Sequence, residues 1–239
     1  NIYLNLLEAL RKTKSKARVL SVGSSEEYGI VDSSNIPISE SVCPNPISPY
    51  AVARLAQSEL SKVYSNGYDL DVISTRSFNH FGENQTNRFV IPSFIEKVNM
   101  QKKTRSKEPI LVGDLSIIRD FLHVHDALDA YIELLRSGKP GTVYNVCSGE
   151  GLSLQQLLQM IYAASGIEPN YIISNELIRP SDNPIIIGDN SKILKSTNWR
   201  PKKIVELEIK KIIKLKKVED EFNRKLLEKL KEFKGKGRR

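Results

Sequence analysis

The first third of the chain switches between helical and strand-like hydrophobic patterns. Apolar residues recur every three or four positions in 2–10, which predicts a short amphipathic helix with a basic end at 11–16. Two β-prone apolar runs then flank a second helical pattern, in the order 18–22, 50–64 and 71–76. Gly23 and Gly67 are expected to end the first run and the second helix. Strand, helix, strand is the order of a parallel βαβ unit, so the pattern predicts an α/β fold.

Beyond residue 85 the apolar runs become shorter, and helices alternate with brief strands. The periodicity predicts helices at 89–100, 126–135, 153–164 and 190–196, and strands at 110–112, 143–146 and 171–173. Ser153 and Gly166 are residue types that cap the two ends of a helix, and Asp126 suits a first turn or an N-cap. These shorter elements predict a second α/β part beside the first.

The last segment, 201–239, differs from the rest in charge. It has 15 Lys and Arg against 7 Asp and Glu, whereas residues 1–200 have 21 of each kind, so it carries the whole net charge of +8. Apolar residues at helical spacing from Ile209 to Phe233 predict an amphipathic helix, and a break near Val218 stays open. Three interpretations remain: a helix that covers an apolar patch, a coiled-coil partner helix, or a segment that binds nucleic acid or an anionic membrane. The balanced body itself indicates no nucleic-acid partner.

Composition narrows the class of protein. The apolar content of 40% and charged content of 27% are typical of a globular protein. No apolar run approaches the roughly 20 residues of a membrane span, and the N-terminus has no signal-peptide layout. Cys43 and Cys147 lie far apart without metal-type spacing. We therefore expect reduced thiols, a cytoplasmic location, no metal site and no membrane partner.

A tyrosine at the start of a predicted helix carries the strongest chemical signal. Arg54 follows Tyr50 by one helical turn, on the same face. A phenol has an ordinary pKa of about 10, so it needs a neighbouring cation to transfer protons at neutral pH. Ser24, after the first predicted strand, could donate a second hydrogen bond to a substrate oxygen. A Tyr-x-x-x-Arg pair alone is common, but here it joins VGSSEEYG at 22–29 and RSFNH at 76–80.

With these segments the chain resembles the extended short-chain dehydrogenase/reductase family, and within it the sugar-nucleotide enzymes. The resemblance implies a partial Rossmann-like doubly wound parallel sheet with a smaller α/β substrate-binding part. It implies catalytic roles for Ser24, Tyr50 and Arg54, with Tyr50 as proton donor. It also implies NADP or NAD as cofactor, bound by Tyr50, Arg54 and His80. Glu26 matches the base of the 4,6-dehydratases, or else it is a solvated loop carboxylate.

Two features of the resemblance concern arginine. The family normally has Lys where this chain has Arg54, and a guanidinium keeps its charge but cannot give up a proton. Other arginines match residues that bind the nucleotide diphosphate, for which a planar guanidinium is well suited. The resemblance implies five substrate-binding residues: Ser25, Asn79, Arg88, Arg119 and Arg179. Each arginine could instead form a surface ion pair.

Similarity in four short segments of the sequence favours one activity within this family. The stretches at 76–82, 144–149, 179–184 and 188–192 look most like those of GDP-4-keto-6-deoxymannose reductases. Such an enzyme reduces the 4-keto group of a GDP-6-deoxy-hexose with NAD(P)H. A GDP-mannose 4,6-dehydratase, which would use Glu26, is the first alternative. The choice between NAD and NADP and the C4 stereochemistry of the product stay open.

The glycine-rich turn that opens domains of this class does not occur in this sequence. We therefore expect about the first 100 residues of such a domain to be missing and a hydrophobic sheet edge to be exposed. This expectation supports a further alternative, a non-catalytic remnant that binds sugar nucleotide or dimerises. The resemblance implies a homodimer through the helices at 1–14 and 50–66.

The resemblance also divides the chain into three parts. Residues 1–85 would form the second half of a dinucleotide-binding domain, and 86–204 the substrate-binding part. Residues 205–239 would form the basic helical tail. Whether segments at about 115–147 return to the first part stays open.

Overall fold

The computed structural model describes residues 2–178 and 183–236, as helices packed on parallel strands. The helices are α1 Ile2–Lys12, α2 Pro49–Tyr68, α3 Val90–Thr104, α4 Val124–Ser137, α5 Leu154–Ser165, α6 Ser191–Ser196 and α7 Val205–Lys236. The strands are β1 Val19–Ser24, β2 Val72–Ser77, β3 Asn79–Phe81, β4 Ile110–Val112, β5 Ile118–His123, β6 Val143–Val146, β7 Gly151–Ser153, β8 Tyr171–Ile173 and β9 Ile185–Ile186. The predicted α/β class is therefore confirmed.

The first sheet is parallel, with strand order β1-β2-β6, and α2 connects β1 to β2. All six residues of β2 are buried, because helices cover both of its faces. Val72 packs into the cluster that α1 and α2 form with Leu7 and Tyr64, whereas Ile73 packs against Ala130 and Leu134 of α4. Consecutive strand residues point to opposite faces, so this division is what a doubly wound sheet requires. Within the described residues, β1 pairs with β2 alone, and its other edge is open.

The second part of the structure joins short strands to three helices. Strand β5 is central: it pairs in parallel with β3 and β9 and antiparallel with β7. Strands β4 and β8 form a separate parallel pair. The largest apolar cluster lies between α3, α5 and α7 and includes Ile95, Leu157, Ile161 and Ile209, all fully buried. This packing fixes the start of α7 on the body of the protein.

Two glycines that were expected to end a strand and a helix do not do so. Strand β1 continues through Gly23 to Ser24, and a Cβ at Gly23 would lie 2.4 Å from both Glu27 Oε1 and Thr75 O. Close approach of neighbouring atoms therefore explains this glycine. Helix α2 passes through Gly67 and ends where Asp69 adopts a left-handed conformation with φ 53°. Both predicted stops were wrong, whereas Ser153 and Gly166 cap α5 as expected.

Strands β3, β5, β7 and β9 were not predicted, because they are short and β5 carries charged residues. Asp120 in β5 is fully buried and accepts hydrogen bonds from the backbone N–H groups of Ser148, Gly149 and Gly188. Helix α4 begins two residues earlier than predicted, with His123 as its N-cap. Asp126 lies in its first turn and accepts hydrogen bonds from the backbone N–H groups of Lys202 and Lys203.

The tail forms one helix, α7, that continues through Val218, so the break considered there is absent. Ile209, Ile212 and Ile213 are buried against the body, which agrees with a helix that covers an apolar patch. Farther along, Leu215 and Phe222 are exposed.

No helix in the described ranges is both long and apolar enough to cross a membrane.

Candidate active site

A pocket with a cavity volume of about 370 Å³ lies where β1 and β2 end. In open parallel sheets this edge is the usual place for ligands, because loops diverge there and leave a crevice. The pocket brings together six residues that the sequence singled out: Ser24, Glu26, Tyr50, Arg54, Asn79 and His80. They come from the end of β1 and the turn after it, from the start of α2 and from β3.

The start of α2 presents Tyr50 to this pocket. Ser48 caps the helix by accepting a hydrogen bond from Ala51 N at 3.1 Å, and Pro49 occupies the first turn, where its missing N–H has no cost. Tyr50 follows directly and is 49% exposed. A capped helix start therefore holds the phenol in a fixed position while its ring stays accessible.

Arg54 connects Tyr50 to the sheet. Its guanidinium carbon lies 5.1 Å from the centre of the Tyr50 ring. Its Nη1 donates to Val22 O at 3.2 Å and to Gln57 Oε1 at 3.1 Å, and Gln57 Nε2 in turn donates to Ser21 Oγ at 2.8 Å. The cation is thus held against the phenol by β1 and by its own helix.

The turn after β1 positions Ser24. Its Oγ accepts a hydrogen bond from Glu26 N at 3.2 Å, and its backbone N donates to Glu27 Oε1 at 3.0 Å. These bonds fix the turn and leave the hydroxyl proton of Ser24 available for donation. Glu26 is exposed at the pocket wall, whereas Glu27 is fully buried.

A buried ion pair that the sequence analysis missed lies behind this turn. Arg76 Nε donates to Glu27 Oε2 at 2.9 Å, and the Arg76 guanidinium stacks 4.5 Å from the centre of the Tyr28 ring. Tyr28 donates to Asn145 Oδ1 at 2.7 Å, and burial raises the pKa of Tyr28 to about 12. Glu27 and Arg76 belong to the quoted motifs, but nothing in the sequence indicates that they meet.

The pocket lining contains a second pair that the sequence analysis missed. Ser77 Oγ and Tyr131 Oη share a hydrogen bond of 2.7 Å, and both residues line the pocket. The His80 ring stands edge-on to Tyr131, with 6.3 Å between ring centres. His80 Nε2 is buried and has no hydrogen-bond partner within the described residues. Burial lowers the pKa of His80 to about 4, so this imidazole is neutral at physiological pH.

The predicted substrate-binding residues lie in different places. Asn79 lines the pocket and its Nδ2 donates to Asp120 O at 3.3 Å. Ser25 lies in the turn after Ser24, and Arg88 is exposed just before α3. Arg119 Nη1 donates to Ile118 O at 2.9 Å and to Asn183 O at 2.7 Å. Arg179 falls outside the described residues.

Comparison with known proteins agrees with this geometry. The model of a family described as GDP-mannose 4,6 dehydratase matches residues 3–212. A GDP-6-deoxy-D-mannose reductase of Pseudomonas aeruginosa is 31% identical over 210 residues, which are 88% of this chain and 69% of that protein. A GDP-6-deoxy-D-talose 4-dehydrogenase of Aggregatibacter actinomycetemcomitans is 30% identical over 181 residues, or 75% of this chain and 58% of that protein.

A solved structure is also similar. An RMD protein from Pseudomonas aeruginosa, complexed with NADPH, superimposes with a TM-score of 0.82 and 31% identity. The match covers 89% of this chain and 70% of that one. The present chain thus spans between about three fifths and seven tenths of the length of these relatives.

The parallel sheet with a pocket at its strand ends, together with these matches, identifies the chain as a member of the extended short-chain dehydrogenase/reductase family. More narrowly, the chain belongs to the GDP-mannose 4,6-dehydratase family.

Proposed function

We propose that this chain carries the proton-transfer site of a sugar-nucleotide reductase, which acts on the 4-keto group of a GDP-6-deoxy-hexose. One observation carries the proposal: Ser24, Tyr50 and Arg54 line a single pocket at the carboxyl edge of a parallel sheet. The names of the two relatives support the choice of a GDP-6-deoxy-hexose as substrate class.

In the proposed reaction Tyr50 donates a proton to the 4-keto oxygen as the carbonyl becomes an alcohol. Ser24 donates a hydrogen bond to the same oxygen and stabilises the negative charge that develops on it. Arg54 supplies the positive charge that favours the phenolate left on Tyr50. Because a guanidinium does not release its proton, the proton that recharges Tyr50 has to come from solvent.

A nicotinamide dinucleotide would supply the hydride in this chemistry. Tyr50, Arg54 and His80 are the residues proposed to hold its nicotinamide half, and all three line the pocket. The neutral Nε2 of His80, which has no partner among the described residues, fits an uncharged polar group such as the carboxamide. The similar solved structure in complex with NADPH supports NADPH as the first cofactor to test.

The nucleotide diphosphate would bind to Asn79, to three residues that do not line the Tyr50 pocket, Ser25, Arg88 and Arg119, and to Arg179, which lies outside the described residues. Exposed Arg88 is free to turn towards a phosphate. Arg119 has a backbone-anchored guanidinium, which suits a fixed point of recognition.

The substrate test compares two sugar nucleotides with the full chain. Reduction of GDP-4-keto-6-deoxymannose that consumes NADPH would support the reductase. Turnover of GDP-mannose without added NADPH would contradict it and support the alternative, a GDP-mannose 4,6-dehydratase. One observation favours that alternative: Glu26 lines the same pocket and is positioned as a candidate base.

A non-catalytic role in binding or dimerisation is the other alternative. Here the supporting observations are the open edge of β1 and the exposed apolar side chains of α1 and α2: Ile2, Leu6, Val52 and Val63. Calorimetry on this chain discriminates, because micromolar NADPH binding would contradict a remnant, whereas GDP binding without NADPH binding would support it. Sedimentation of wild type and Val63→Asp would test a homodimer through these helices.

A further inference from the structure

A buried histidine outside the Tyr50 pocket has a ring nitrogen without a partner. His123 ends β5 and its side chain is fully buried. Its Nε2 makes no hydrogen bond within the described residues. Since a buried polar nitrogen without a partner is unfavourable, this atom calls for an explanation.

Two carboxylates face this nitrogen from different elements. Glu83 Oε2, in the loop after β3, lies 3.7 Å from His123 Nε2. Glu208 Oε2, on α7, lies 3.9 Å from the same nitrogen, and its side chain is only 5% exposed. The three ligand atoms lie within 4.8 Å of one another, too far for hydrogen bonds but close enough to surround one ion.

We propose that Glu83, His123 and Glu208 form a binding site for a divalent cation of the zinc class. Zinc binds imidazole nitrogen and carboxylate oxygen at roughly 2.0–2.2 Å, which places neighbouring ligand atoms roughly 3.0–3.5 Å apart. The observed separations need only a small contraction, and Glu83, with 31% side-chain exposure, is able to supply it. Water from the exposed side of Glu83 would complete the coordination.

The surroundings are compatible with an ion beside Nε2. A Cβ at Gly82 would lie 2.6 Å from Val124 Cγ1 and 3.8 Å from His123 Nε2, so a glycine here lets the loop after β3 pack closely against the start of α4 beside the ring. Lys211 Nζ occupies the other oxygen of Glu208, Oε1, at 2.7 Å, which leaves Oε2 directed at the histidine. Lys203 Nζ lies 4.0 Å from the same Oε1. These ammonium groups would compete with a cation for Glu208.

Binding through Nε2 also requires a defined change in the ring. His123 Nδ1 now accepts a hydrogen bond from His125 N at 3.3 Å, which places the ring proton on Nε2. With a cation bound, the proton moves to Nδ1 and the long contact with His125 N is released. The cation would link α7 to the loop after β3, which leads out of the Tyr50 pocket. Sequence spacing could not indicate this site because its residues are far apart in the chain.

The experiment is a zinc titration by calorimetry, using the tag-free, chelator-treated full chain in a Cys43→Ser background, since Cys43 is an exposed thiol. We expect one zinc per chain with a micromolar or lower Kd. Glu83→Gln should weaken binding at least about tenfold, since even partners behind the ligands change affinity by 10–100-fold. The control is Glu206→Gln, which removes an exposed carboxylate of the same helix and should leave affinity unchanged.

Two further measurements separate the site from non-specific binding. Lys211→Ala, which removes a competing cation at an exposed position, should tighten zinc binding severalfold. The ring nitrogen resonances of His123 should change on addition of zinc, and Glu83→Gln should need at least about tenfold more zinc for the same change. The proposal is overturned if the chain binds no zinc at millimolar concentration, or if Glu83→Gln binds as tightly as wild type. Neither result bears on the reductase assignment.

Discussion

Arg76 and Glu27 form an ion pair of 2.9 Å whose two side chains are 5% and 0% exposed, directly behind the turn that carries Ser24. Glu27 also accepts a hydrogen bond from Ser24 N through its other oxygen. One carboxylate therefore joins β2 to the pocket turn. Burying both charges is costly, so the pair holds the turn in one conformation only while both partners are present.

Removing one member of the pair should be strongly destabilising. Glu27→Ala would leave the Arg76 charge buried without compensation, and we expect a loss of about 3–5 kcal/mol in the free energy of unfolding. The double variant Glu27→Leu/Arg76→Met should lose much less, because it removes both charges and keeps volume. Urea denaturation checks this, with exposed Glu59→Ala as control. A loss below about 1 kcal/mol for Glu27→Ala would contradict the role assigned to the pair.

The local patterns predicted the first parallel unit well, and the reason is physical. Strands β1 and β2 and helix α2 have apolar periodicities that follow from burial, and Ser48 is a strong N-cap. Strand β5 was missed because Arg119 and Asp120 resemble loop residues; tertiary hydrogen bonds to Asp120 outweigh their low strand propensity.

The pocket residues also divide into those that local motifs indicate and those that only tertiary contacts bring together. Ser24, Tyr50 and Arg54 lie in local motifs, so their types and spacing could indicate a site. Tyr131 could not be found this way, because it enters the pocket from α4 and meets Ser77 across 54 positions of sequence. Pairings between distant segments depend on the sheet order, which local periodicity does not determine.

Tyr50→Phe should remove the proposed proton donor without changing the fold. We expect turnover of the 4-keto sugar nucleotide to fall about 10²–10⁴-fold, because a positioned acid contributes on that order. Affinity for the GDP part should not change. Tyr68→Phe, at the exposed end of the same helix, is the matched control. Spectrophotometry of NADPH consumption measures the effect, and full activity in Tyr50→Phe would refute the assignment.

Arg54 tests the electrostatic role separately. Arg54→Lys keeps the positive charge and restores the residue that is usual in the family, so we expect activity to be retained or raised. Arg54→Met removes the charge and should lower turnover. A large loss in Arg54→Lys would show instead that the site depends on the guanidinium, whose Nη1 bonds both Val22 O and Gln57 Oε1. Steady-state kinetics of both variants distinguishes these outcomes.

His80 should make stability depend on pH. Burial lowers its pKa from 6.5 to about 4, so between these values the unfolded chain binds a proton that the folded chain does not. The free energy of unfolding should therefore fall as the pH drops from 6.5 to about 4. Below that range His80 should cause no further loss. By linkage, protonation of His80 in the unfolded chain should lower the free energy of unfolding by about 2 kcal/mol between about pH 7.5 and pH 5. The non-titrating variant His80→Asn should lack that part of the dependence in urea denaturation, and identical pH profiles would contradict the prediction.

The last prediction concerns the two halves of α7. Ile209 and Ile213 are 0% and 1% exposed in the cluster with α3 and α5, so Ile209→Ala should cost about 2–5 kcal/mol through lost burial and a cavity. Phe222 on the same helix is 64% exposed, and Phe222→Ala should change stability by less than about 0.5 kcal/mol. Denaturation of both variants tests whether α7 covers the body through its first turns. If the stability of wild type instead rises with protein concentration and Phe222→Ala loses that dependence, the part of α7 around Phe222 forms a coiled-coil interface, and the covering role would not account for the tail.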